Sequence, residues 1–549
     1  VQTQLSGQRV AYLKLHVQTV NLSERTMDRQ TSVVVVGAGI SGLAAAKLLH
    51  EKGVDVVVVE ARDRVGGRTH TIQNDKVGYV DLGGAYIGPT QDHVLRLVEE
   101  FGLTLYRVYD EKDYIRFYEE KAARFQGAFP ATWNPLVKID LQNFLKTMDD
   151  YGSTIPLNAP WKAPNAKLWD KMSMKELYDK IIWTKSVRSF ADSFVQLCVT
   201  SEPHEVSLLW FLWYVAQCGG TDRIYSVTNG GQERKLVGGT QQLSTRIADI
   251  LGDRVHLNEP ATLVEQSRSG ATVHTAAGSS YRCDYVILAL PPPMQAKLRF
   301  EPSLPSSRNQ LVQRYPMGSV IKTITYYKRP FWRQEGMSGL AVIEDEGQPI
   351  GFTLDDTKPD GTRPAIMGFI LANKAKRLSH ISTEERRQAI VKEYAKLYQS
   401  DEALEPVHYE EKDWCAEQWS GGCYTGAMPP GFMTQFGEEL RKPVGRLHFA
   451  GTECATKWSG YIDGGIQSGD RAAREILHRM GKLSADQVNV EPPKSKIMEG
   501  RPFPKSWTDS FLPSVSTFLF LTGSVAVAGS ALALSRCPWF MKKLSEFLR

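Results

Sequence analysis

Near the start of the chain the hydrophobic pattern changes period twice. Residues 32–36 form a valine-rich run, the signature of a strand buried on both faces of a parallel sheet. Residues 37–42 read GAGISG, residues 43–50 are apolar at helical spacing, and Gly53 stops them. A second apolar run, 54–59, ends at Glu60. The order predicts strand, glycine turn, helix and parallel strand, with an acid at the tip of the second strand.

Further along, 174–182, 206–217 and 383–398 read as helices, and 254–257, 271–275 and 285–290 as short strands. The strand at 446–450 leads through Gly451 to a helix from about 464 to 480. Residues 318–327 alternate, with Val320, Lys322, Ile324 and Tyr326 on one face and Ser319, Ile321, Thr323 and Thr325 on the other. Lys322 thus falls on the more apolar side, either snorkelling to an edge or buried, where desolvation would lower its pKa. Pieces of nucleotide-binding type lie at the start, middle and end of the chain. They predict an α/β fold with a discontinuous Rossmann-like domain at 29–105, 237–311 and 417–480. The inserted segments, 106–236 and 312–416, are expected to form a mixed α+β substrate domain.

The chain ends change this picture. Residues 1–26 lack the apolar core of a secretory leader, and 1–28 read as an extension, with Met27 a candidate natural start. After a linker at 481–509, residues 510–535 carry no charge, and a basic tail at 536–549 follows. An α-helix needs about 20 apolar residues to cross a bilayer, so 510–535 are expected to form a transmembrane anchor, with an amphipathic or buried helix as the alternative. The net charge of +5 is small, and no dense Lys/Arg run suggests a nucleic-acid partner. Seven scattered cysteines form no CxxC and have no histidine at zinc spacing, which predicts reduced thiols and no metal site.

The glycines carry the first chemistry. Gly37 permits a tight turn, Gly39 lets backbone approach a pyrophosphate, and Gly42 lets helix and strand pack closely. Glu60 follows the last of them by 18 residues, where it can accept from both ribose hydroxyls and repel a 2′-phosphate. NADP is disfavoured; NAD and FAD both fit. RDRVGGR at 62–68, DLGGAYIG at 81–88 and FAGTE at 449–453 bare more backbone, which implies a long, extended ligand. In SGGCYT, 420–425, two glycines precede Cys423 and Tyr424. By residue type alone Cys423 is a small inert hydrophobe, or a tether if a flavin ring lies beside it.

Together, 33–42, 60–68, 82–88 and 449–453 resemble the flavin-containing amine oxidase superfamily. CAEQWSGGCYT at 415–425 and WSGYI at 458–462 are similar to segments of the monoamine oxidases, and the resemblance runs from about Met27 to the apolar end. It implies FAD attached as an 8α-S-cysteinyl group at Cys423, Tyr424 and Tyr461 as an aromatic pair before the flavin, and Lys322 bonded to a water near its N5. Cofactor contacts are implied for Gly37, Gly39, Ser41, Gly42, Glu60, Arg62, Gly67, Arg68, Gly84, Ala85 and Tyr86. They are implied also for Ala261, Trp414, Gly451, Thr452, Gly460, Tyr461 and Ile462. Tyr225 and Phe352 are implied at a gate, with Leu197 and Gln232 lining the substrate site. Tyr225 stands where the mammalian A and B forms carry phenylalanine or isoleucine, which leaves the amine preference open. The implied activity is oxidative deamination of aromatic monoamines by O2 in a homodimer anchored in the mitochondrial outer membrane and facing the cytosol. A polyamine or amino-acid oxidase and a non-catalytic flavoprotein scaffold are the competing readings. The amino-acid oxidase lacks an identifiable arginine for a substrate carboxylate.

Overall fold

The computed structural model describes residues 28–127, 129 and 134–504. Both the expected extension up to residue 27 and the expected anchor at 510–535 lie outside them. Among the described residues no helix is long and apolar enough to cross a membrane.

The strands Val33–Val36 and Val56–Val59 are all valine and fully buried. They pair in parallel at the centre of a five-stranded sheet with Val255–His256, Tyr285–Leu288 and Leu447–Phe449. Alternation sends Val33, Val35, Val56 and Val58 into one core and Val34, Val36, Val57 and Val59 into another. The first core is closed by the helices Ile40–Glu51 and Ile462–Arg479. The second is closed by a five-stranded sheet that includes Ala261–Gln266, Ala271–Thr275 and Ser280–Cys283. A sheet covered on both faces needs no polar side, which explains the unbroken valine runs. The helix expected at 464–480 starts two residues earlier, at Ile462, because Tyr461 is its N-cap.

A seven-stranded sheet forms the other half, in the order His408–Asp413, Val320–Tyr326, Ala365–Leu371, Phe352–Asp355, Met337–Ile343, Asp113–Tyr118, Lys121–Phe125. Both faces of Val320–Tyr326 are covered, and all seven residues are buried. Ile321 packs with Ile390 and Tyr394 of the helix Thr383–Tyr398, while Val320, Ile324 and Tyr326 pack with Phe352, Trp414 and Cys423. Thr323 hides its hydroxyl by donating to the Gly368 carbonyl at 3.1 Å. A helical layer of Pro135–Ser153, Met174–Ile181, Lys185–Val199 and Leu208–Gln217 caps this half. The last of these is apolar all round and sits wholly inside.

Candidate active site

One cavity of about 500 Å³ runs between the parallel sheet and the seven-stranded sheet. Every residue singled out from the sequence lines it except Gly42. Gly42 stands behind the wall: a Cβ there would lie 2.0 Å from the Gly37 carbonyl oxygen, so its task is helix–strand contact. Gly37, at φ +104°, turns the chain where a side chain would strike Ala289. Gly39 is different, since a Cβ there meets nothing within 4 Å and backbone faces open cavity. It is also the N-cap of Ile40–Glu51, and no side chain caps that helix. The free N–H groups and positive dipole end therefore face the cavity. Glu60 is buried, with one oxygen accepting from the Ala38 N–H at 2.7 Å and the other from the Arg62 N–H at 3.0 Å.

The two arginines serve the wall more than the space. Arg62 donates to Glu60 and, at 2.9 Å, to Ser420 Oγ. Arg68 forms two bonds to the buried Glu453 carboxylate, 2.6 and 3.0 Å, and one to the Tyr424 carbonyl at 3.0 Å. Burial works against the Glu453 charge, but Arg68 outweighs it and holds the carboxyl below its usual range. A buried, two-pronged pair of this kind fixes geometry. Here it clamps the segment 423–425 to the strip 449–453. Ser41 Oγ accepts from the Gly451 N–H at 2.9 Å, and Thr452 Oγ1 bonds both the Gly460 N–H and the Tyr461 carbonyl. Tyr461 thereby inherits its position from the strand end.

Cys423 is buried, accepts through its carbonyl from Thr200 Oγ1 at 2.6 Å, and donates its N–H to the Gly318 carbonyl at 3.0 Å. The glycines of SGGCYT now have a reason: a Cβ on Gly422 would lie 2.4 Å from that same carbonyl, and Gly421 adopts φ +69°. Burial pushes the Cys423 thiol up to about 12 despite Arg68. Tyr424 sets its ring edge-on to Phe369 at 5.3 Å, and its hydroxyl has no partner among the described residues. Tyr461 stands edge-on to Trp458 at 4.8 Å. Beyond them Tyr225 stacks on Phe129 at 5.3 Å, and Leu197, Phe352 and Gln232 complete the wall. Gln232 donates to the Ile224 carbonyl, leaving its Oε1 free.

Lys322 is buried and donates to the Gly83 carbonyl at 2.9 Å, beneath the strip that Trp414 Nε1 also grips through Leu82. Burial, reinforced by Lys235, pushes its amine down to about 8 against the pull of Asp356 and Asp81. Sequence reasoning missed Cys198, Tyr214 and Phe369 in the wall and Glu453 behind it. Tyr214 sits on the uniformly apolar helix Leu208–Gln217, whose pattern marks no functional face.

Residues 40–477 match the family model described as flavin containing amine oxidoreductase. The chain belongs to this family. It is 56% identical over 502 residues to amine oxidase [flavin-containing] A of Bos taurus, covering 91% of this chain and 95% of that protein. It is 54% identical over 508 residues to amine oxidase [flavin-containing] B of Homo sapiens, covering 92% and 98%. Among solved structures, cyclohexylamine oxidase from Brevibacterium oxydans IH-35A superposes with a TM-score of 0.79 at 35% identity, over 82% of this chain and 99% of that one. Putrescine oxidase bound to putrescine superposes with a TM-score of 0.78 at 32% identity, over 82% and 99%. The walls fit the flavin that the family carries. Gly39 leaves room for it, a helix N-terminus opens toward it without a side-chain cap, and the rings of Tyr86 and Tyr424 line the same space.

Proposed function

We propose that this flavin-dependent amine oxidase acts on primary and some secondary aromatic monoamines. An amine, water and O2 become an aldehyde, ammonia and hydrogen peroxide. FAD, when bound, supplies the two-electron acceptor that O2 regenerates. The carrying observation is that a single cavity joins the glycine-walled strip near Glu60 to the space walled by Tyr424, Tyr461, Tyr225 and Phe352. The acids in its wall, Glu60 and Glu259, belong to the glycine end, where the Glu259 N–H donates to the Glu60 carbonyl. The aromatic end therefore offers an ammonium ion no carboxylate and favours the neutral amine that oxidation requires.

The roles follow from position. Tyr424 and Tyr461 would flank the amine carbon, Gln232 Oε1 would accept from the amine, and Tyr225 and Phe352 would gate a longer space beyond. Cys423 carries FAD as an 8α-S-cysteinyl group; its burial beside Arg68 and its place in the cavity wall support this. Lys322 presents a donor to the flavin edge. The glycine turn, the Glu60 carboxylate, Arg62, Arg68 and the strip through Gly451 and Ile462 hold the dinucleotide. The segments 29–105, 237–311 and 417–480 serve as its domain, with 106–236 and 312–416 as the substrate domain. The catalytic body faces the cytosol as a homodimer on the mitochondrial outer membrane, anchored by 510–535; the uncharged run there and the resemblance support this.

Peroxide release from benzylamine, phenethylamine and serotonin tests the activity, and silence on all three would overturn it. Peptide mass spectrometry tests the linkage: a flavin adduct is expected on the Cys423 peptide, and an unmodified thiol in fully coloured enzyme would exclude it. Cutting the chain before Ser510 should release the protein from membranes; retention would remove the anchor from the account.

A further inference from the structure

At the cavity wall and behind it, three buried lysines crowd one carboxylate. Lys235, Lys322 and Lys358 are 1%, 3% and 5% exposed. Lys235 takes Asp356 Oδ1 in a direct ion pair. Lys358 stands 4.0 Å from Asp356 Oδ2, makes no hydrogen bond among the described residues, and lies on the Tyr79 ring at 3.9 Å. Lys322 has the Gly83 carbonyl and, at 5.8 Å, the face of Tyr86, which Lys235 also approaches at 5.9 Å. The second acid, Asp81, accepts through one oxygen from the Thr71 hydroxyl and the Thr240 N–H, and its other oxygen has no partner among the described residues. Tyr106 and Tyr326 also face the group, and Arg363 adds positive charge beside Lys358. Three ammonium ions held by so little negative charge cost more than such burial returns.

We propose that Lys358 is a positioning residue for Lys322: the two amines share the field of Asp356, and a proton held by one is withheld from the other. Lys235 does not compete, because its pair with Asp356 outweighs its burial and keeps its charge. Lys322 and Lys358 are both pushed down to about 8, first by burial. The proposal rests on Lys322 facing the flavin only for its functional consequence. There Lys358 sets the pH at which the Lys322 donor becomes a neutral amine.

The test reads unfolding stability against pH in the holoenzyme. Each lysine's folded pKa lies below its unfolded value, so the unfolded chain binds more protons from about pH 8 to 10.5 and stability rises with pH there. Lys358→Met, Lys322→Met and the double variant are compared with the native chain. Coupled lysines make the rises lost in the two single variants add up to more than the double variant loses. Equal sums overturn the proposal. Should Lys358→Met not fold, Lys358→Gln takes its place in the same cycle, and equal sums again overturn the proposal. A second readout is the visible flavin spectrum titrated with base. An inflection that Lys322→Met abolishes is expected to move up by about one unit in Lys358→Met. Absence of that inflection in the native enzyme would remove Lys322 from the flavin edge while leaving the stability test of the coupling intact.

Discussion

The glycine end and the aromatic end of the cavity are built by opposite means. At the first, the wall is backbone: Gly37, Gly39, Gly66, Gly67, Gly84 and Gly451 bring peptide groups to the surface, and side chains such as Ser41 and Thr452 lie between them as ties. At the second, the wall is mostly rings with two thiols, Cys198 and Cys423, carried by segments far apart in the chain. Backbone walls recognise what every dinucleotide shares. Ring walls select, because a change of one side chain reshapes the space without disturbing the strand beneath. Tyr225, on its short helix Thr221–Tyr225, is such a position.

The sharpest way to break this contrast is Gly39→Val. Gly39 has φ −67°, an ordinary backbone, and a Cβ there meets no protein atom within 4 Å. The variant should fold, with its circular dichroism unchanged, yet be purified without flavin. Yellow protein with native flavin content would show that the backbone does not approach a ligand there.

The clamp between the ends comes next. Glu453→Ala leaves the largely buried Arg68 without its carboxylate, which costs about 3 kcal/mol, read as a lowered urea midpoint. A loss under about 1 kcal/mol would mean that water reaches the pair and that it joins nothing.

Replacing Tyr424 and Tyr461 together with alanine should lower kcat/KM for an aromatic amine by well over tenfold, at least about 1.4 kcal/mol of transition-state stabilisation, while flavin content stays native. If flavin is lost as well, the two ends are not separable as described.

The smallest effect is a control outside both ends. His93 bonds Glu491 at 3.1 Å and approaches Asp470 at 3.8 Å; burial opposes its charge, but these acids hold its pKa at about 9. A raised folded pKa adds stability that is complete below about 6.5 and is lost as pH rises through 9. With Glu491 half exposed, about 1 kcal/mol should disappear between pH 7 and 9 in the native chain and not in His93→Gln. Flavin content and turnover should be unmoved; a change in either would tie the C-terminal segment to the cavity.

The valine runs, the glycine turn and Glu60 determined the parallel core by themselves. A strand covered on both faces must be apolar throughout, and a turn that touches a ligand must shed its side chains; both are local demands written in consecutive residues. The placement of Lys322 on a cavity-facing side was legible from alternation, but the burial of the opposite face was not, because Thr323 pays its polarity to a carbonyl on a neighbouring strand. Residues 415–425 announced a thiol beside a phenol. Only the tertiary structure decided that Arg68 and Glu453 would hold them against the strip 449–453, and that Lys322, Lys235 and Lys358 would meet around Asp356. Such groupings depend on which distant strands become neighbours, and a charge's partner across a fold leaves no period along the chain.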